Sequence, residues 1–371
     1  MKDRSPLFNP TPGGRVSARP PWHWVFAQNG RMDPDAAAAV AARYARFAAD
    51  EAPGRSPLYA EWAAGVASDT VVAGILARIA PTHRQPPLVF AVSRLRGAPE
   101  SSYPRWAEWI RAHADAVVDE CGRRSIQTNE PLRCAALLPA LGLVEGPIAL
   151  LELGASAGLC LYPDRYSYRY IHGDEVVRVD PISGPSAVEL ECELRGELRP
   201  PVLAPPEIVW RAGIDLAPLD AASADDRRFL TTLVWPGETG RADRVQAALD
   251  IVRLDILAGD PPVLVAGDAT DPDLLARVAA MAPRDATLVV TTPGVLPHIP
   301  REGRERLIEA VRSLDAEWIT IDPAGLHGGD VPLDPGEWDG VVLGRGGRPI
   351  AVVDPLGGFV EWRDGRSSDA G

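Results

Sequence analysis

Apolar positions follow two regimes along the chain. From Asp33 to about Leu143 they recur at helical spacing. Asp33-Pro34 reads as an N-cap with proline at the first helical position, and the alanine-rich run Ala36 to Ala49 follows. Ser56-Pro57 repeats the start signal ahead of Leu58, Trp62 and Val66, and Asp69 does so ahead of Val72, Ile75 and Ile79. Pro86-Pro87 opens a fourth helix that ends near Gly97. A fifth spans Tyr103 to Cys121 and a sixth Asn129 to Gly142. Nothing in this stretch alternates as a strand would.

The regime changes at Pro147. Ile148 to Leu153 is a short apolar run ending in Gly154, the pattern of a buried parallel strand feeding a turn. Further strands are predicted at Val176–Val179, Val188–Leu194, Glu207–Trp210, Val263–Ala266, Thr287–Thr291, Glu317–Ile321, Val341–Leu343, Ile350–Val353 and Phe359–Trp362. Helices are predicted at Leu159–Tyr166, Asp226–Leu233, Arg241–Leu257, Asp271–Met281 and Arg301–Leu314. Alternating strands and helices imply an α/β sheet. Gly344 to Arg348 leaves no room for a helix, so an antiparallel hairpin should close that sheet. The expected organisation is a proline-rich arm over 1–32, a helical region over 33–143 and an α/β domain over 144–371. Residues 181–262 are too long for a simple crossover and are expected to form an inserted subdomain over the strand ends.

Composition narrows the function. The formal charge of −13 disfavours binding along a phosphate backbone, so nucleic acid is not an expected partner. No apolar run approaches the ~20 residues of a membrane helix. The polar, proline-rich N-terminus does not read as a signal peptide. A soluble cytoplasmic protein is expected. Lys2 is the sole lysine among 38 basic residues, which removes lysine chemistry from the core. Cys121, Cys134, Cys160 and Cys192 are scattered, with no zinc-ligand spacing, and no metal is expected.

Glu152-Leu153-Gly154-Ala155-Ser156-Ala157-Gly158 is the most informative stretch. Its glycines permit a sharp turn and leave room for a ligand against the backbone. A dinucleotide fingerprint would have a glycine in the middle of this run. The segment also fits G-x-S-x-G, with Ser156 as nucleophile, Asp268 or Asp322 as acid and His298 or His327 as base. The spacing acidic-x-G-x-x-x-G resembles the first motif of class I S-adenosylmethionine (SAM)-dependent methyltransferases. That resemblance implies a Rossmann-like, mostly parallel sheet with a terminal antiparallel hairpin, and SAM as cofactor. It places Glu152, Gly154, Ala155, Ser156 and Gly158 around the cofactor. Asp180 would hold the ribose, Asp268 and Ala269 the adenine, and Thr292 the substrate. More narrowly, Thr128-Asn129-Glu130-x-x-Arg133, Glu152 to Leu159, Asp164-Arg165-Tyr166 and Leu233-Val234-Trp235-Pro236 resemble an uncharacterised bacterial family. Its members have a methyltransferase-like domain and a helical N-terminal region.

Methyl transfer needs a general base only for a weakly acidic O–H or N–H acceptor. His298, after the fourth strand of the expected plan, is the candidate base or substrate ligand; a plain surface loop is the competing reading. Asn129 is either a helix cap or a cofactor contact. Arg133 either pairs with Glu130 or binds a cofactor or substrate carboxylate. Trp235 and Tyr168 are candidates to line the substrate pocket, with core packing as the alternative. The function expected is methyl transfer to an O or N atom of a small molecule. The alternatives are a non-catalytic SAM- or nucleoside-binding protein, a nicotinamide-dependent oxidoreductase and a serine hydrolase using Ser156. No membrane partner is expected, and a homodimer is left open.

Overall fold

A computed structural model describes residues 34–127, 129–326 and 338–363. The expected proline-rich arm and His327 lie outside the described residues. The helical region contains α1 (Pro34–Arg46), which runs on through a π-helical turn to Glu51, α2 (Pro57–Ser68) and α3 (Thr70–Ala77). It continues with α4 (Pro86–Leu95), α5 (Tyr103–Ala112) and α6 (Ala114–Cys121). Two of the predicted caps form: Ser56 Oγ accepts from Tyr59 N at 3.2 Å, and Asp69 accepts from Val71 and Val72 N; Asp33 lies outside the described residues. The single helix expected over Tyr103–Cys121 is two. It breaks at His113, whose ring stacks on Trp109 with 4.2 Å between centroids. Trp62 and Trp106 stack at the centre of this region's core, beside Phe90.

After α7 (Arg133–Leu141), the first strands are β1 (Ile148–Leu153), β2 (Ser167–His172), β3 (Glu175–Val179), β4 (Glu189–Arg195) and β5 (Ile208–Asp215). Next come α8 (Ala224–Leu233), α9 (Arg241–Ala258), β6 (Val263–Ala266), α10 (Pro272–Ala279), β7 (Thr287–Pro293), α11 (Arg301–Arg312) and β8 (Glu317–Pro323). The last strands are β9 (Val341–Arg345), β10 (Arg348–Val353) and β11 (Phe359–Trp362). Among the described residues all eleven strands form one sheet, in the order β6-β5-β1-β7-β8-β9-β10-β11-β4-β2-β3. The pairs from β6 to β8 are parallel. Within that parallel block the strands stand third-second-first-fourth-fifth in chain order. The strand order therefore reverses at β1, with β5 beside it on one side and β7 on the other. Open α/β sheets form a crevice beyond the strand ends at such a point. One face of the block carries α10 and α11 over Leu151, Leu153, Ile214 and Val290. The other carries α7 and α9 over Ile148 and Leu150.

Three expectations are corrected. Leu159–Tyr166 is not a helix. Pro163 interrupts it, leaving two short 3-10 turns, after which the alternating Ser167-Tyr168-Arg169-Tyr170 begins a strand. Residues 181–262 are not a separate insert, because β4 and β5 both belong to the single sheet. Only α8 and the turn after it leave the α/β layer: Phe229 and Trp235 are buried in the core of the helical region. The closing hairpin exists, with Gly346 and Gly347 at φ 58° and 77° between β9 and β10. It does not end the sheet, which continues through β11, β4, β2 and β3.

Candidate functional site

All six residues of β1 are buried between β5 and β7, so its end is fixed on both sides. Beyond it the backbone turns through three left-handed positions: Gly154 (φ 76°), Ser156 (φ 52°) and Gly158 (φ 75°). A Cβ on Gly154 would lie 2.7 Å from Val295 Cγ2, so both space and φ demand glycine there. Ser156 holds a conformation that disfavours side chains by roughly 1–2 kcal/mol, and its neighbours impose it. Its amide donates to Asp215 Oδ2 at 2.8 Å. Asn129 Nδ2 donates to Ser156 Oγ, while Asn129 Oδ1 accepts from Ala157 N at 3.2 Å. Beneath the turn runs Gly213 of β5, where a Cβ would meet Ala155 Cβ at 2.3 Å.

Asp215 is the acidic residue at the tip of the strand beside β1. Its Oδ1 accepts from Ala217 N at 2.8 Å, which leaves lone pairs of both oxygens for a ligand. Leu216, next in the chain, is 79% exposed. Asp180, expected in this position, is elsewhere. It follows β3, the outermost strand at the far edge, and accepts from Ser167 Oγ at 2.5 Å. The sheet order moves it away from the turn. Asp268 and Ala269 do follow β6, the next strand out. Asp268 is exposed and accepts from Thr270 N at 2.9 Å.

On the other side of β1, Arg133 ties the strand ends together. Its Nη1 donates to Pro293 O at 2.9 Å and its Nε to Pro355 O at 3.0 Å. It pairs with backbone carbonyls and not with Glu130, which instead binds Arg241 and Arg244. Thr292 is fully buried, its Oγ1 accepting from Trp318 Nε1 at 3.3 Å. Glu152 is buried at the end of β1, and its Oε2 has no hydrogen-bond partner among the described residues. Burial pushes its carboxyl well above the usual range, Cys160 and Asp215 push the same way, and Arg133 opposes them. At the end of β8, burial raises Asp322 to about 8, against the Leu296 amide, Arg133 and Arg304.

The structure does not bring the remaining candidates to the turn. Tyr168 is buried on β2, its hydroxyl donating to Pro163 O. Trp235 packs on Phe47 and Tyr59, and Arg55 lies 3.7 Å from its ring centroid. Both are core residues. His298 is exposed on the short turn Leu296–His298 after β7, and its ring makes no hydrogen bond among the described residues. A serine-hydrolase arrangement is not assembled among the described residues. The amide after Ser156, which an oxyanion hole would use, is taken by Asn129. Asp215 and Gly213 are the site residues that sequence reading missed. Their signal was the segment Trp210-Arg211-Ala212-Gly213-Ile214-Asp215, where a charge and a glycine break the apolar run.

The fold and turn define an α/β protein with a largely parallel open sheet, a glycine turn where its strand order reverses, and a helical N-terminal region. The chain belongs to the family described as an uncharacterized protein conserved in bacteria (DUF2332), whose model matches residues 41–362. No curated protein and no solved structure matches it. Among the described residues, no helix is long and apolar enough to cross a membrane.

Proposed function

We propose that the turn after β1 binds the adenosyl portion of SAM and that the protein transfers its methyl group to an oxygen or nitrogen of a small molecule. The observation that carries this reading is the convergence of three strand ends in order: the glycine turn on β1, Asp215 on β5 and Asp268 on β6. On this reading the parallel block is a Rossmann-like methyltransferase sheet, and Asp215 takes the ribose role first given to Asp180. The residues present fit the group. Gly154 presents exposed backbone at the turn, Asp215 retains acceptor capacity for two hydroxyls, and Glu152 carries a buried oxygen with no hydrogen bond among the described residues. A pyrophosphate suits the turn poorly. Ser156 occupies the middle position with its side chain tied to Asn129, and only a three-residue 3-10 turn follows Gly158, not a helix N-terminus.

When bound, SAM supplies an already activated methyl group, so the protein's share is positioning. His298, on the exposed turn after β7, is kept as the candidate base for an acceptor that must lose a proton. A cytoplasmic location and a small-molecule partner complete the proposal. The non-catalytic alternative shares the same cofactor site and is separated from it by turnover. Titration calorimetry with SAM and S-adenosylhomocysteine tests the reading. Micromolar binding, lost in Gly154→Arg and in Asp215→Ala, is expected. Absence of binding by the folded wild-type protein overturns it.

A further inference from the structure

A chain of ion pairs runs from the helical region to Glu130, the residue that follows Asn129. Arg55, between α1 and α2, stacks on Trp235 and pairs with Glu238 at 2.7 Å. Glu238 Oε2 accepts from Trp235 N at 3.2 Å and pairs with Arg241 at 2.7 Å. Arg241, in the first turn of α9, pairs with Glu130 at 2.6 Å. Glu130 is fully buried and is also held by Arg244 at 2.9 Å and the Leu132 amide at 3.0 Å. Burial works to raise the Glu238 carboxyl, but Arg241 and Arg55 together hold it below its ordinary range. Next to Glu130 stands Asn129, whose side chain holds Ser156 and Ala157.

A fully buried carboxylate with two donors on one oxygen, and the Arg241 guanidinium as an ion-pair partner beside the other, is a costly arrangement to keep in a protein interior unless each partner stays in place. Its geometry therefore fixes the backbone at 130 and, one residue earlier, the anchor of Asn129. The left-handed Ser156 persists only while its surroundings over-determine it. We infer that Glu130, Arg241 and Glu238 are positioning residues: they make the shape of the glycine turn, and so its ligand affinity, depend on the docked helical region. The affinity part rests on the proposed cofactor site; the effect on the turn does not. The helical region is then a working part of the site and more than a cover over it.

The turn contains its own internal control. The Ala157 amide depends on Asn129, whereas the Gly154 amide donates to Ile214 O within the sheet, at 2.7 Å. Residue-resolved amide exchange is measured without ligand on the full chain as wild type, Glu238→Gln, Arg241→Met and Arg241→Lys. Networks of this kind carry coupling worth roughly 3- to 30-fold. Ala157 exchange is expected to quicken by that factor in Glu238→Gln and Arg241→Met, with Gly154 unchanged and Arg241→Lys partly restored. S-adenosylhomocysteine affinity should fall in parallel. Equal quickening at Ala157 and Gly154, or none at either, overturns the inference. Should Arg241→Met fail to fold, Glu238→Gln decides alone. Should the folded wild type bind no S-adenosylhomocysteine, the cofactor proposal falls and the exchange measurement still decides this one.

Discussion

Gly213→Ala tests the packing of the turn more directly than any change in the turn itself. Gly213 lies within β5 and its φ is not left-handed, so alanine meets no backbone strain of that kind there. By itself the substitution should stabilise by about 0.4–1 kcal/mol, because the unfolded chain loses freedom. The added methyl, however, would lie 2.3 Å from Ala155 Cβ and 3.0 Å from Leu264 Cδ2. Carbon atoms in contact prefer about 3.5–4.0 Å, so Ala155 must retreat by more than ~1 Å. Ala155 has little room, since Gly154 abuts Val295 and Ser156 is held by Asp215 and Asn129. Overpacking of this kind costs about 1–3 kcal/mol. The net expectation is a loss of about 1–2 kcal/mol together with weaker binding at the turn. Gly325→Ala is the control: among the described residues nothing lies within 4 Å of its Cβ position, and its φ is not left-handed. Urea unfolding of both variants gives the comparison. A Gly213→Ala protein as stable as Gly325→Ala, with wild-type turn exchange, would refute the reasoning.

Two further outcomes follow from single contacts. Asp322 titrates near 8 when folded and about 4 when unfolded. The folded state thus holds the extra proton between those values, and the contribution of Asp322 to stability falls as pH rises from about 4 to 8. Asp322→Asn should flatten that part of the stability–pH curve measured by thermal melting; an unchanged slope argues against a buried neutral carboxyl. In the helical region, a Cβ at Gly65 would come 2.2 Å from the Tyr103 ring, so Gly65→Ala should cost about 1–3 kcal/mol despite its better helix propensity. Denaturant titration reads this, and a stabilised variant would show that the ring moves freely.

Much of the fold was legible because it obeys local rules. Proline and acidic caps set the helix starts, and β1 announces itself by a run of apolar residues broken only by Glu152. What escaped was decided by distant partners. Arg211 looks like the end of a strand, yet on β5 its guanidinium donates to Leu161 O at 2.6 Å and Asp164 at 2.7 Å, beside the Tyr162 ring. Gly213 looks like a strand breaker, but it is where the turn crosses the sheet. With those two positions misread, the strand ended at Trp210 in the sequence reading, short of Asp215. In the sequence Asn129 reads either as a helix cap or as a cofactor contact; α7 begins only at Arg133, and the side chain of Asn129 holds the turn 27 residues away.

The position of the glycines also says how this turn differs from a dinucleotide loop. In that motif the middle glycine lets a pyrophosphate approach the backbone. Here the middle residue keeps a side chain, and Asn129 uses it to hold the turn in place. The close approach has moved to the protein's own sheet, with Gly213 passing under Ala155. One face of the turn is thereby closed by β5, and Asn129 closes the center. Among the exposed positions at these strand ends are Gly154, Leu216 and Asp268. A ligand meeting those three residues would lie along the strand tips from β1 toward β6, its polar groups against Asp215 and Asp268 and its apolar face against Leu216. That arrangement suits a nucleoside better than a phosphate chain, because it offers carboxylates and an aliphatic surface where a phosphate would need positive charge.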